Sequence, residues 1–357
     1  NNARGVNATQ LNVGGLGIGT FNDRLRDAVR GGSPFGDRTF QGFISDLSLN
    51  PNGLTGGSEE QQAERMALFM DQIRIGLAGN LRDYTFVGSA GDEITGADVS
   101  YGGSPTGYTL SPAEHIVYIS KHDNETLWDI LLYKQLDVPV QELVRMHNLG
   151  NSIVMLSQGV PFFQAGDDML RSKSLDRNSY NSGDWFNQLD FTYQTNNFGV
   201  GLPPASDNAD RWDEMRPILA NPDLQVGEAE IMSAVLHFRE LLQIRQSSPL
   251  FRLQTAEQVQ ERLTFLNTGP DQQPGVIVMA ISDEAGDQLD DNYAMIVVVF
   301  NATGDETTFS DDSLAGMAFE LHPILAESSD PVVREAAFAD GSFNVPGRTA
   351  AVFVVPR

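Results

Sequence analysis

The chain has 357 residues, of which 41% are hydrophobic and 20% are charged, a balance that is typical of a folded globular protein and excludes an intrinsically disordered one. Its formal net charge of −25 argues against a nucleic-acid partner, because a phosphate backbone requires a basic surface. Cysteine is absent, which excludes disulfides and thiolate metal sites, and no apolar run reaches the ~20 residues of a membrane-spanning helix.

The first half of the chain alternates between predicted strands and helices. A short strand is predicted at about 18–21, followed by a helix that Asn22 caps and Gly31 ends. Ser58 and Gln61 have the spacing of a capping box and predict the start of a second, longer helix. The alternation of strand and helix indicates parallel βαβ units.

Two later strands are predicted to end in polar residues. The first, at 116–120, runs directly into the sequence KHDN at 121–124. The second, near 160–163, runs into the acidic turn Asp167-Asp168, after a helix that begins close to Pro139. A polar loop is predicted at about 171–226, and a long helix at about 228–246.

After about residue 250 the pattern changes to short β-rich runs separated by Gly, Asp and Asn turns. The runs are 276–281, 294–300, 317–321 and 349–355. They predict a small antiparallel sandwich or barrel. The sequence therefore divides into an α/β part, 1–250, and an all-β part, 251–357.

In parallel α/β structures, functional side chains collect at the carboxyl ends of the strands. Two interpretations are open for Asp167 and Asp168: they function in a site, or they simply cap the following turn, as Asp often does. For His122 and Asp123 a functional role is favoured, since a cap would not also require a His, a Lys and an Asn beside it. The other four histidines, at 115, 147, 237 and 322, are predicted to be structural.

Several segments resemble the alpha-amylase superfamily (glycoside hydrolase family 13) in its pullulanase form. YISKHDNETLWD at 118–129 resembles the last shared active-site motif of that superfamily, and GTFNDRLRD at 19–27 is similar to the segment around barrel strand six. GVPFFQAG at 159–166 resembles strand eight, LRSKSLDRNSYNSGDWFN at 170–187 the loop after it, and VPGRTAAVF at 345–353 the closing strand of the C-terminal β domain.

The resemblance implies a fold, a reaction and a set of residues. The fold would be the C-terminal part of a (β/α)8 barrel, about strands six to eight, followed by an all-β antiparallel sandwich. The reaction would be hydrolysis of α-1,6 branch linkages in pullulan, starch or glycogen-derived glucans, with retention of configuration. Asp123 would be the transition-state stabiliser, and the substrate-binding residues would be His122, Arg177, Asn178, Tyr180 and Asn181.

The resemblance also predicts what the chain lacks. In this superfamily the nucleophile follows strand four and the general acid strand five, so both are expected ahead of residue 1. The triplet Arg211-Trp212-Asp213 imitates the nucleophile motif, but it falls in the loop region after strand eight and is discounted. The chain alone is therefore expected to be inactive. No cofactor is required, although calcium is possible by resemblance, and the resemblance favours an extracellular or periplasmic location.

Three alternatives remain open. Instead of being part of a pullulanase, the chain could be a non-catalytic glucan-binding fragment or a structural remnant that binds nothing. It could also be part of another member of the superfamily, such as a branching enzyme or an isoamylase. The sequence Arg171-Ser172-Lys173-Ser174 argues against the last of these. The predicted partner is an α-glucan polysaccharide or oligosaccharide in every interpretation but the second.

Overall fold

The computed structural model describes residues 7–314 and 316–357. Up to residue 161 its helices and strands are, in chain order, β1 (Thr20–Phe21), α1 (Asp23–Arg30), α2 (Glu59–Leu77), β2 (Thr85–Val87), β3 (Glu93–Thr95), β4 (Ser100–Tyr101), β5 (Ser104–Pro105), β6 (His115–Val117), α3 (Leu127–Lys134), α4 (Val140–Leu156) and β7 (Val160–Pro161). Strands β1, β6 and β7 form one sheet with β6 in the centre, and both pairings are parallel. The predicted parallel βαβ units are confirmed.

Strand β6 is shorter than predicted. It ends at Val117 instead of at residue 120, although the next three residues remain buried. These residues lie outside the ladder and bond through side chains: the Tyr118 hydroxyl accepts from Arg26, and the Ser120 hydroxyl donates to Asp167. The apolar pattern of the sequence indicates which residues are buried, and burial continues past Val117. The pairing with neighbouring strands stops at Val117, so the pattern predicts a longer strand than the structure has.

Helix α1 has the predicted ends. The Asn22 side chain accepts hydrogen bonds from the backbone N–H groups of Arg24 (3.0 Å) and Leu25 (3.2 Å), as an N-cap should. Gly31 follows the helix with φ +93°, and a Cβ there would lie 2.3 Å from the Phe40 carbonyl oxygen. Only glycine permits this approach, which brings the loop at 40–42 against the end of α1.

Helix α2 begins with the predicted capping box, in which Ser58 and Gln61 bond each other's backbone N–H groups. Its Met66, Met70 and Ile73 are fully buried in the main core, which α1, α3, α4 and α8 share. The two hairpins between α2 and β6, formed by β2–β3 and β4–β5, were not predicted, since their strands are only two or three residues long.

The second half of the chain contains α5 (Asp184–Asn187), α6 (Ala205–Asn208), α7 (Trp212–Leu219), α8 (Glu228–Ser247), α9 (Ala256–Arg262), β8 (Leu263–Phe265), β9 (Val276–Ser282), β10 (Tyr293–Asn301), β11 (Thr307–Ser310), β12 (Glu320–Leu321), α10 (Pro323–Ala326), β13 (Ala337–Ala339), β14 (Ser342–Val345) and β15 (Thr349–Pro356). The predicted polar loop thus contains three short helices. The β-strands form two antiparallel sheets, in the orders β12-β15-β10-β9-β8 and β11-β14-β13.

Both faces of the larger sheet are buried. On β10, Val297 and Val299 pack against residues of the smaller sheet, such as Phe343, whereas Ile296 and Val298 belong to the main core with the helices. This explains why the β10 sequence is continuously apolar and does not alternate, as a half-exposed antiparallel strand would.

Ion pairs link the β-rich part to the helices. The guanidinium of Arg348 donates to Glu142 at 2.6 Å, and Arg145 pairs with Asp330 at 2.9 Å. Within the described ranges, no helix is both long enough and apolar enough to cross a bilayer.

Candidate functional site

The polar segment 121–124 follows the central strand β6 at its carboxyl end and leads into α3. The Lys121 ammonium forms an ion pair with one carboxylate oxygen of Asp123, and the His122 Nε2 atom lies 3.4 Å from the other. The side chains of His122 and Asp123 are 84% and 55% exposed. The hydrogen bond from Lys121 lowers the pKa of Asp123, so this carboxylate is ionised at neutral pH.

Asp123 lies where two cavities meet. The larger, of about 500 Å³, is lined by Asp123 with Arg26, Lys121, Arg177, Asn178 and Asp207. The smaller, of about 120 Å³, is lined by His122, Asp123, Arg171, Lys173, Asn178 and Tyr180. Two loops, 121–124 and 171–187, therefore face one another across an open space with mixed charge. Such a space offers many hydrogen-bonding groups to a polar ligand.

Five of the six predicted site residues line these cavities: His122, Asp123, Arg177, Asn178 and Tyr180. The Asn178 side-chain amide donates to Asp207 at 3.1 Å, and Tyr180 is 84% exposed. Asn181 is exposed at the end of a single helical turn and is not among the residues that line either cavity.

Arg26 and Asp207 were not predicted to belong to the site. Arg26 is a buried residue of α1, where it donates to the Asp27 carboxylate at 2.7 Å. Five of the eight residues of α1 are charged and four of these are buried, but the sequence shows only the charges and not their burial. Asp207 lies in the long polar loop, and its sequence surroundings contain no comparable signal.

Asp167 has a structural role, which favours the capping interpretation of the acidic turn. Its carboxylate accepts hydrogen bonds from the Ser120 hydroxyl and from the backbone N–H of Gln164, each at 2.8 Å. The side chain is buried, and burial raises its pKa to about 7. The group joins the end of the β6 segment to the turn after β7 and does not line either cavity described above.

The four other histidines are structural, as predicted. His115 Nδ1 lies 3.0 Å from the Gln158 carbonyl oxygen, and His147 Nε2 lies 2.7 Å from that of Asp167. His237 is bonded to the Ser152 hydroxyl, and His322 caps α10. Burial lowers the pKa of each to about 4, so all four are neutral at physiological pH.

The last two residues of the discounted triplet, Trp212 and Asp213, begin α7. Asp213 is 98% exposed and pairs with Arg216 one turn further along α7. Residues 7–314 and 316–357 contain no group of three or more His, Asp and Glu side chains suited to a metal ion. These described residues therefore offer no carboxylate cluster to the calcium that the resemblance allows.

Comparisons with known proteins agree with the resemblance. Residues 193–356 match a family model described as alpha-1,6-glucosidases, pullulanase-type, C-terminal. The chain is 47% identical to a chloroplastic pullulanase from Arabidopsis thaliana, and the match covers all of this chain and 38% of that protein. It is 39% identical to a pullulanase from Klebsiella pneumoniae, and that match covers 98% of this chain and 32% of that protein. It spans about a third of the length of these relatives.

Solved structures give the same result. The crystal structure of the apo pullulanase from Klebsiella pneumoniae aligns with a TM-score of 0.90 at 40% identity, over 98% of this chain and 38% of that one. A pullulanase from the same organism complexed with maltotriose aligns with a TM-score of 0.90 at 39% identity, over 98% of this chain and 34% of that one.

The chain belongs to the pullulanase-type glycoside hydrolases. Within that family it corresponds to the C-terminal part of the pullulanases, the position that its motifs predict.

Proposed function

We propose that the chain supplies the transition-state-stabilising carboxylate and part of the sugar-binding surface of a debranching enzyme that hydrolyses α-1,6 linkages in pullulan, starch or glycogen-derived glucans. One observation carries the proposal. The ionised Asp123 lies beside His122 at the meeting point of two polar cavities, opposite the loop that contains Arg177, Asn178 and Tyr180. The pullulanase that binds maltotriose in its crystal structure shares this fold, which supports an oligosaccharide as the ligand.

The proposed chemistry follows from charge. A retaining glycosidase uses a nucleophile and an acid about 5 Å apart, and its transition state resembles an oxocarbenium ion. A fixed carboxylate near that sugar ring interacts more strongly as positive charge develops, so it lowers the barrier to reaction. Asp123 would act in this way. The His122 imidazole would hydrogen-bond a sugar hydroxyl, and Arg177, Asn178, Tyr180 and Asn181 would contact further glucose units.

The proposed architecture is the last part of a (β/α)8 barrel. The parallel order β1-β6-β7 fits barrel strands six, seven and eight. Large apolar side chains remain exposed at or beside the two outer strands: Leu16, Ile18 and Phe21 near β1, and Val160 and Phe162 at β7. Exposed apolar residues along both sheet edges are what neighbouring strands of a closed barrel would cover.

Two further parts of the proposal rest on the same resemblance. The barrel part would span 1–250 and the sandwich 251–357. The protein would act outside the cell or in the periplasm, and fractionation of cells that express the whole protein tests this location. A non-catalytic glucan-binding role is the second candidate for the 357-residue chain, because polar and charged side chains line both cavities beside Asp123 and offer hydrogen bonds to a sugar.

Release of reducing ends from pullulan tests the proposal. The 357-residue chain alone should release none, whereas the whole protein with its upstream segment should be active. In the whole protein, Asp123→Asn should lower kcat by about 100-fold or more, the scale of a lost electrostatic stabiliser. Asp213→Asn is the matched control and should leave kcat unchanged, because the Asp213 side chain is 98% exposed and lines neither cavity. Equal activity of Asp123→Asn and wild type would refute the assignment.

A further inference from the structure

Lys173 is buried between the two loops that carry the candidate site residues. Its side chain is 1% exposed, and its ammonium donates to the backbone carbonyls of His122 at 3.2 Å and Asn124 at 2.6 Å. A buried ammonium is unfavourable unless its N–H groups are bonded and its charge is balanced. Lys173 therefore fixes the position of 121–124 relative to its own loop.

The backbone of the same segment forms a second link. The Lys173 N–H donates to one carboxylate oxygen of Asp129 at 2.8 Å, and the Ser172 hydroxyl donates to the other. Asp129 is in the first turn of α3, the helix that follows 121–124, and it is fully buried. Its negative charge lies close to the Lys173 ammonium and balances it in part. The loop at 171–187 is thus attached both to the 121–124 segment and to the start of α3.

The backbone has positive φ angles on both sides of this contact, which Asn124 tolerates and Ser174 and Leu175 do not. Asn124 has φ +65°, while Ser174 and Leu175, which follow Lys173, have φ +50° and +68°. Residues with a Cβ seldom adopt the left-handed region, and they remain there only where the surrounding contacts fix them. Ser174 and Leu175 are strained directly after Lys173, so this part of the 171–187 loop requires a contact that holds it.

We propose that Lys173 is a positioning residue, which sets the distance between the His122–Asp123 segment and the Arg177–Tyr180 segment and so gives the cavity between them its shape. It acts through the backbone carbonyls of His122 and Asn124. The inference deepens the proposed function and rests on it for the nature of the ligand, but the mechanical link between the loops stands on the contacts alone.

A matched control is available in Arg245. It is also a buried cation, 9% exposed, whose guanidinium donates to three backbone carbonyls: those of Met155, Ser157 and Gly159. These carbonyls lie before β7, at the opposite end of the parallel sheet from 121–124. Arg245→Met therefore removes a buried cation and its carbonyl bonds without touching either loop.

Hydrogen exchange measured by mass spectrometry on the 357-residue chain tests the proposal. In Lys173→Met, the amides of 121–125 and 172–175 should exchange about tenfold faster or more than in wild type, with the rest of the chain unchanged. In Arg245→Met, these amides should keep their wild-type rates while those near 155–159 exchange faster. Lys173→Gln keeps a donor for one carbonyl, so its exchange rates at 121–125 and 172–175 should lie between those of wild type and Lys173→Met. This variant replaces Lys173→Met in the test if Lys173→Met does not fold.

A maltotriose titration of the same proteins separates this inference from the proposed function. Lys173→Met should weaken maltotriose binding by about tenfold or more, and Arg245→Met should not. Unchanged exchange at 121–125 in both Lys173 variants, or an equal increase in Arg245→Met, would overturn the positioning role. If the wild-type chain bound no maltotriose while the exchange pattern held, the positioning role would stand and the proposed ligand would be wrong.

Discussion

The Ser120 hydroxyl lies 2.8 Å from each carboxylate oxygen of Asp167 and joins the segments that leave two neighbouring parallel strands. Both residues are buried, and a third bond, from the Gln164 N–H to Asp167, completes the turn. Because few groups compensate the charge, burial raises the pKa of Asp167 to about 7. The turn that supports the site is thereby made sensitive to pH.

Asp167→Asn should remove part of the pH dependence of stability. The carboxyl is ionised above about pH 4 in the unfolded chain, but it stays protonated up to about pH 7 in the folded one. The stability that comes from this preferential protonation is present at acidic pH and is lost as pH rises through 7. Between pH 5.5 and 7.5 the free energy of unfolding of the wild type should fall by about 2 kcal/mol more than that of the variant. Denaturant titrations measure both, and parallel pH profiles would contradict the prediction.

Arg348→Met should destabilise the link between the β-rich part and the helices. The guanidinium of Arg348 lies 3.7 Å from Asp46 and 2.6 Å from Glu142, and removing it leaves Asp46 buried without that cation. We expect a loss of about 3–5 kcal/mol at pH 7.5. The loss should be smaller at pH 5, since burial raises the pKa of Asp46 to about 6 and the protonated acid needs no cation.

Arg216→Met is the control for that measurement. Its partner Asp213 is 98% exposed, and an exposed pair contributes ~1 kcal/mol at most. A loss of similar size in both variants, or the same loss at both pH values for Arg348→Met, would show that Arg348 stabilises the fold in some other way.

Two exposed aromatic side chains of the 171–187 loop should differ in their effect on sugar binding. Tyr180 is 84% exposed and lines the smaller cavity with His122 and Asp123, whereas Trp185 is 63% exposed and does not line that cavity. Tyr180→Ala should weaken maltotriose binding by about 1 kcal/mol, the scale of one lost sugar contact. Trp185→Ala should leave it unchanged. Titration calorimetry measures both affinities. A larger loss of affinity in Trp185→Ala than in Tyr180→Ala would show that the sugar binds away from Asp123.

The sequence predicts the elements of the fold that depend on interactions between residues close along the chain. The cap at Asn22, the capping box at Ser58 and the α8 boundaries are local, so the sequence predicts them well. The hairpins between residues 85 and 105 were missed because their two- or three-residue strands are too short to show a period. The His122–Asp123 pair and the motif resemblance predict which two loops border the cavities, while the role of each residue in a site stays a prediction.

The parts of the site that were missed depend on contacts between distant residues. Arg26 reaches the cavity from a helix whose apolar face predicts only packing, and Asp207 reaches it from a loop without a distinctive pattern. Lys173 lies 49 residues from Asn124 along the chain, and only the folded structure brings its ammonium to the carbonyl there. A sequence pattern describes residues that are close along the chain, whereas these three residues contact the site through residues that are far from them in sequence.

Calorimetric titration of the 357-residue chain with maltotriose tests the central claim most directly, using wild type, Asp123→Asn and the exposed control Asp213→Asn. We predict binding by the wild type and by Asp213→Asn, and an affinity for Asp123→Asn that is lower by about tenfold or more, because the carboxylate accepts charge-assisted hydrogen bonds from sugar hydroxyls. Equal affinity of all three proteins would place the sugar elsewhere and contradict the account.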